Sequence, residues 1–282
     1  MRFSQRMGLK PVKEIIQEKS IDEDLLNSLW NIVYLFYLKN LPRYRSELDN
    51  ITGKYITNLW FQFLKEPIDE ISNTCSNILE YIKDWFFNSI WYEVYDFIDF
   101  TAEFDNDNRQ SEFDKMINLV LKREISGYRI INHKLCPITS EEEIKEIQSV
   151  IDTTNTPSLH NIKSHFISAL EKYSDRKSPD YRNSIKESIS AVEAIVGIIS
   201  GNKKAGLGNA LKIIEEKVCL HNALKKGFLS IYGYTSDDDG IRHALIQDSN
   251  CDQEDAKYML VSCSAFVNYL IVKAVKSGIK IT

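Results

Sequence analysis

Proline and glycine are scarce, with six and eleven in 282 residues. So few chain breakers argue against a turn-rich β-protein and favour long helices. The five cysteines (Cys75, Cys136, Cys219, Cys251 and Cys263) are odd in number, scattered and without a CxxC pair. They read as free thiols of a reducing compartment, and no Cys/His spacing supports a four-ligand zinc site. No run reaches the roughly 18 apolar residues of a membrane span. The first thirteen residues lack the apolar core of a signal peptide, so a cytoplasmic location is expected. Positive charge is not in excess either: 35 basic against 40 acidic residues give −5. Contact with nucleic acid therefore needs a local basic surface.

What is present is a globular composition, 43% hydrophobic and 27% charged, in a chain long enough for one large domain or two ordinary ones. Residues 1–13 carry Arg2, Arg6, Lys10 and Lys13 without an acid and read as a solvated segment packing through Phe3, in preference to a basic arm for RNA or a partner. Ser20 and Glu23 have the spacing of a capping box. The helix they open, through Leu25, Leu29, Trp30, Val33 and Phe36, is apolar nearly all round and should be central. A second aromatic helix covers 51–64. Ile68, Ile71, Cys75, Ile78, Ile82 and Trp85 then alternate steps of three and four, continued by Ile90 and Trp91, as one face of a long helix. The four tryptophans fall on such stripes and read as core. The acid-rich stretch 96–114 reads as a solvated loop.

Tyr128–Ile138 reads as two short strands around Asn132-His133, with Pro137 limiting the second strand. This hairpin is the one expected sheet, and Arg129 and His133 belong to it. Thr139, Ser140, Glu142 and Glu143 form a second capping signal. The polar segment 175–180 is the expected domain boundary, giving domains 1–175 and 176–282. From Tyr181 the pattern is purely helical. Five helices are expected: 181–200 ended by Gly201, one through Leu207–Ile214, one through Leu220–Tyr232, a short one near Gly240, and a last through Ala256–Ala274.

The densest polar cluster is Tyr232–Leu245. Thr235, Ser236, Asp237, Asp238 and Asp239 precede Gly240, and Arg242 and His243 follow it. Two readings stand side by side. In one, the hydroxyls and carboxylates cap a helix start and Arg242 forms a structural ion pair. In the other, Arg242 and His243 handle a phosphate and a proton. Neighbouring helical residues point about 100° apart, so one copy cannot grip a phosphate with both side by side, although two copies across a two-fold could. Glu187 and Glu193 lie nearly opposite on their helix and do not form a carboxylate pair. Glu193 is the candidate to hold Arg242.

Several segments together resemble a bacterial family. They are Phe3–Arg6, Ser126–Arg129, Pro137–Glu143, Tyr181–Ala194, Tyr232–Ser236, Gly240–Ala244 and Asp255–Leu270. The chain resembles the AbiJ-type abortive infection proteins, with an AbiJ N-terminal domain of type 4 followed by a HEPN-like bundle. The resemblance implies an all-α fold of two helical domains, the second a five-helix bundle, with one hairpin near 128–138. It implies an antiphage protein acting as a metal-independent endoribonuclease, in which a ribose 2′-OH attacks the adjacent phosphate. Arg242 and His243 would be catalytic, supported by Glu193, Tyr234, Asp237, Asp238 and Asp239, with Arg182 and Lys186 contacting RNA.

No metal or cofactor is implied. The implied partners are RNA, a second copy through the C-terminal bundle, and a phage trigger or partner protein, with no membrane. The usual HEPN motif separates Arg from His by four to six positions, whereas Arg242 and His243 are adjacent. Counted from Arg242, the second position falls on Gln247, Asp248 or Ser249. The alternative implied function is a non-catalytic dimerisation, RNA-binding or sensor subunit working with a separate effector.

Overall fold

The computed structural model describes residues 3, 7, 16–48, 50–104, 108–175, 178–202, 207–218, 220–236 and 251–281. The fold is all-α with one small hairpin, and the chain divides into two compact units, Met1–Thr139 and Ser140–Thr282. Residues 140–175, which the sequence reading groups with the N-terminal domain, hold two helices that pack within the second unit.

In the first unit, α1 (Glu23–Val33) starts two residues later than the Ser20 signal suggested. Asp22 is its N-cap, accepting the Leu25 N–H at 2.9 Å. It runs into a π-helical turn, Tyr34–Leu38, and α2 (Asn50–Asn58) does the same at Leu59–Leu64 before Lys65 turns left-handed. The long helix expected over 68–91 is broken at both ends. Ile68–Glu70 is a single 3₁₀ turn, and α3 spans Cys75–Asn88. Before it, Thr74 pairs with Tyr44 and the Cys75 N–H donates to Arg43 O, so this backbone is engaged across the chain. After it, Ser89 Oγ donates to Trp85 O and Glu93 accepts the Ile90 N–H. Such local bonds compete with the helical ladder.

The acid-rich stretch is not a loop. Most of it lies in α4 (Trp91–Glu103) and α5 (Asn108–Arg123). Val94, Tyr95, Phe97, Ile98, Thr101 and Ala102 recur at helical spacing and are buried, leaving Asp96 and Glu103 on the outside. The hairpin forms as expected. β1 (Arg129–Ile131) pairs antiparallel with β2 (Lys134–Cys136), and Asn132 and His133 take φ of 48° and 64°. Two residues with positive φ make the turn whose twist matches the strands. Trp30 and Trp60 are buried in an aromatic core with Tyr37, Tyr55, Phe86 and Phe97.

The second unit holds α6 (Glu141–Thr153), α7 (His160–Ser174), α8 (Tyr181–Ser200), α9 (Leu207–Val218), α10 (Asn222–Ser236) and α11 (Gln253–Lys276). Helix α8 is its centre, packed against α7, α9 and α11, while α6 lies on α11. Gly201, at φ 77°, ends α8 as expected. Ser184 and Ala169 meet where α7 and α8 approach, the serine hydroxyl donating to the Ala169 carbonyl at 2.8 Å. The short helix expected near Gly240 lies outside the described residues. Among the described residues α11 alone is long and apolar enough to cross a membrane, but half of that stretch is buried within the protein.

Candidate functional site

Arg242, His243, Asp237, Asp238 and Asp239 lie outside the described residues, so their geometry is not part of the site described below. The structure does define the frame on either side of them. Helix α10 ends at Ser236 and α11 begins at Gln253, where Asp252 and Asp255 form a reciprocal capping box. The two helix ends lie close together, with the Tyr234 phenol within electrostatic reach of the Asp255 and Asp252 carboxylates.

Burial first, then Asp255, Cys251 and Asp252, push the Tyr234 phenol above its ordinary pKa. The start of α8 comes to the same place. Burial, then Glu254 and Asp252, raise the Tyr181 pKa, and Tyr173 at the end of α7 accepts from Gln253 Nε2 at 3.4 Å. One end of the bundle therefore gathers three tyrosines and three carboxylates. Such a surface repels phosphate, so any anion held here needs neighbouring cations.

The expected cations lie close by in sequence. Arg182 follows Tyr181, and Lys186 is one turn further along α8; both are half-exposed. By helical angle they share a face with Glu193. Glu193 itself accepts the Tyr232 hydroxyl at 3.0 Å, which joins the middle of α8 to the last turns of α10. Thr235, expected near a helix start, is instead buried in the final turn of α10, and its hydroxyl donates back to Tyr232 O at 2.8 Å.

Glu187 and Glu193 do have different partners, as their helical angle required. Glu187 is held by His165 of α7, with Nδ1 and Oε2 2.7 Å apart. This pair was not read from the sequence. The two residues lie 22 positions apart on different helices, so no spacing rule connects them. His133 and Asp114 form a second such pair at 2.7 Å. Burial raises the Asp114 pKa and the hydrogen bond and charge of His133 oppose the rise. Arg129 is buried in the hairpin and donates to the Ser126 and Tyr128 carbonyls, a structural role that matches its hairpin reading.

The sequence model for AbiJ N-terminal domain 4 matches residues 1–153, the whole of the first unit together with α6. No curated protein and no solved structure matches the chain. A match over more than half of the 282 residues settles the family: the chain belongs to the AbiJ N-terminal domain 4 family of abortive-infection defence proteins.

Proposed function

We propose that this protein is an antiphage effector whose C-terminal unit is HEPN-like and cleaves RNA without a metal. The observation that supports it is the closeness of Tyr234 to Asp255 and Asp252, which raise its pKa after burial. They lie on the two helix ends that flank Arg242 and His243, at the end of the bundle where α8 contributes Tyr181 and Arg182. In the proposed reaction His243 takes the proton of a ribose 2′-OH as its oxygen bonds to the adjacent phosphorus. Arg242 offsets the charge that builds on the phosphoryl oxygens. The P–O5′ bond then breaks, and the leaving oxygen takes a proton from a second histidine. The products are a 2′,3′-cyclic phosphate and a 5′-hydroxyl. Because Arg242 and His243 are adjacent, the reading pairs two copies across the C-terminal unit so that each supplies one of the two proton-transfer groups. Glu193, Tyr234 and Asp237–Asp239 position the pair, Arg182 and Lys186 contact RNA, and the protein acts in the cytoplasm.

The test is incubation of the purified protein with total RNA, with and without chelator, followed by analysis of the ends. Cyclic phosphate ends that survive chelation are expected. Arg242→Ala or His243→Ala should lower cleavage by roughly 10²–10⁴-fold and abolish toxicity with the fold intact; full toxicity in both well-folded variants would sink the reading. The adjacency of Arg242 and His243 favours one alternative, a non-catalytic RNA-binding, dimerisation or sensor subunit acting with a partner effector. There RNA would be bound and left whole.

A further inference from the structure

We propose that the N-terminal unit binds a small phosphate ester of the nucleoside monophosphate class. The site is a surface cavity between the 3₁₀ turn Arg45–Glu47, helix α2 and the Ile68–Ile71 turn. The cavity has a volume of about 520 Å³, within the range of ligand sites, roughly 300–1,000 Å³, and far larger than one phosphate ion requires.

Its walls are chemically divided. Arg45, Lys54, Thr57 and Asn58 supply the polar side, and among the described residues no carboxylate lines it. Ile56 and Ile71, both buried, form the floor, with Leu48 and the half-exposed Ile68 beside them. Among the described residues, neither Arg45 nor Lys54 is in an ion pair, and both cations face one cavity. A guanidinium and an ammonium converging on one concave surface match a phosphate dianion, and the apolar floor matches a flat ring.

Arg45 is also held in place before any ligand arrives. Its backbone N–H donates to Asn73 O at 2.9 Å, and Nη1 donates to Ile71 O at 3.0 Å. The flanking Tyr44–Thr74 bridge fixes the same segment. One guanidinium nitrogen is thereby used to orient the group, and the remaining donors stay available for an anion. Fixing a side chain in advance removes part of the ordering cost of binding. Asn58 is oriented likewise, donating to Lys54 O at 2.9 Å and accepting from Gln62 Nε2 at 2.7 Å. The Thr57 hydroxyl is exposed and bonded to no described residue, which leaves it for a sugar hydroxyl. Glu47, Asp69 and Glu70 flank the cavity without lining it. They disfavour a long polyanion and favour a ligand with one phosphate.

The test is calorimetric titration of the full-length protein with AMP, GMP, CMP and UMP in turn, with inorganic phosphate and adenosine as the two half-ligands. At least one monophosphate should bind, and each half-ligand should bind about tenfold more weakly or worse. Arg45→Ala and Lys54→Ala should each weaken binding about tenfold, with far-UV circular dichroism unchanged. Arg45→Lys, which keeps the charge and loses the fork, should fall between. Four results would overturn the proposal: no binding by any monophosphate, phosphate alone binding as tightly, adenosine alone binding as tightly, or folded Arg45→Ala binding as wild type does. The proposal does not rest on the ribonuclease reading. Arg242→Ala should bind the nucleotide normally, so either idea can fail without the other.

Discussion

The two units reach a packed helical core by different means. The first is built from large rings. Tyr37 stacks on Tyr55 at 4.4 Å and 20°, and Phe97 meets Phe63, Trp85 and Phe86 with centroids 5.3–5.7 Å apart. Its buried hydroxyls bond across the fold, Tyr55 to Thr101 and Tyr95 to Ser126. The second unit packs small and aliphatic side chains. Along α8, Ser184, Ser188, Ala191 and Gly197 are buried between Ile185, Ile189, Val192 and Ile195, and α11 adds Ala256, Cys263, Ser264 and Ala274. Small residues let helix backbones approach, and the serines satisfy themselves on helical carbonyls, Ser188 on Ser184 O and Ser264 on Leu260 O. Ring packing is weakened most by removal of volume, and small-residue packing by its addition.

The largest effect should therefore come from emptying the aromatic core. Phe97→Ala is expected to cost the first unit about 3–5 kcal/mol, read as a lower urea midpoint in tryptophan fluorescence. Trp30, Trp60, Trp85 and Trp91 all lie in that unit, so the signal reports it alone. A cost below about 1 kcal/mol would mean that the rings repack freely and that the contrast is wrong.

The reverse change tests the other side. Ser184→Leu forces a large side chain into the α7–α8 contact and removes the bond to Ala169 O. It should cost the second unit about 1–3 kcal/mol, seen as early loss of far-UV circular dichroism. The fluorescence midpoint should stay where it is; an equal shift would show that the two units unfold as one.

The smallest effect concerns a raised carboxylate of the first unit, Asp114. Folding lifts the Asp114 pKa above 3.8, chiefly by burial. A group whose folded pKa is raised contributes stability below its unfolded pKa and loses it as pH rises through the folded value. Stability should therefore decline from just above pH 3.8 upward, and Asp114→Asn should remove that part of the decline. Urea midpoints at a series of pH values from 3.5 to 7, a range set around that unfolded value, would reveal it. An unchanged slope in the variant would assign the pH dependence elsewhere.

Much of the fold was legible because burial imposes a period on the sequence. The stripe from Cys75 to Phe86 marked α3, and Asn132-His133 marked the hairpin turn. Three features escaped. The breaks at Thr74 and Ser89 arise from bonds to Arg43 O and Trp85 O, which leave no hydrophobic signature. The helices through Asp96–Asp114 were hidden because outward-facing acids dominated the composition while the buried face was read as too short. The segment 175–180 looked like a linker, yet α7 on its N-terminal side packs directly on α8.

The site divides in the same way. Sequence alone singled out Arg242 and His243, because unusual polar density is visible in one dimension, and the family resemblance added Glu193, Tyr234, Arg182 and Lys186. Sequence also determined the all-helical class, the hairpin and the family, each of which depends on local pattern or extended similarity. The tertiary structure alone decided that Glu193 meets Tyr232, that Glu187 meets His165, and that Tyr234 lies near Asp255. It alone brought Arg45 and Lys54, nine residues apart in sequence, to one cavity with Ile71. Pairings between helices depend on which faces pack together, and that choice is made by the core as a whole.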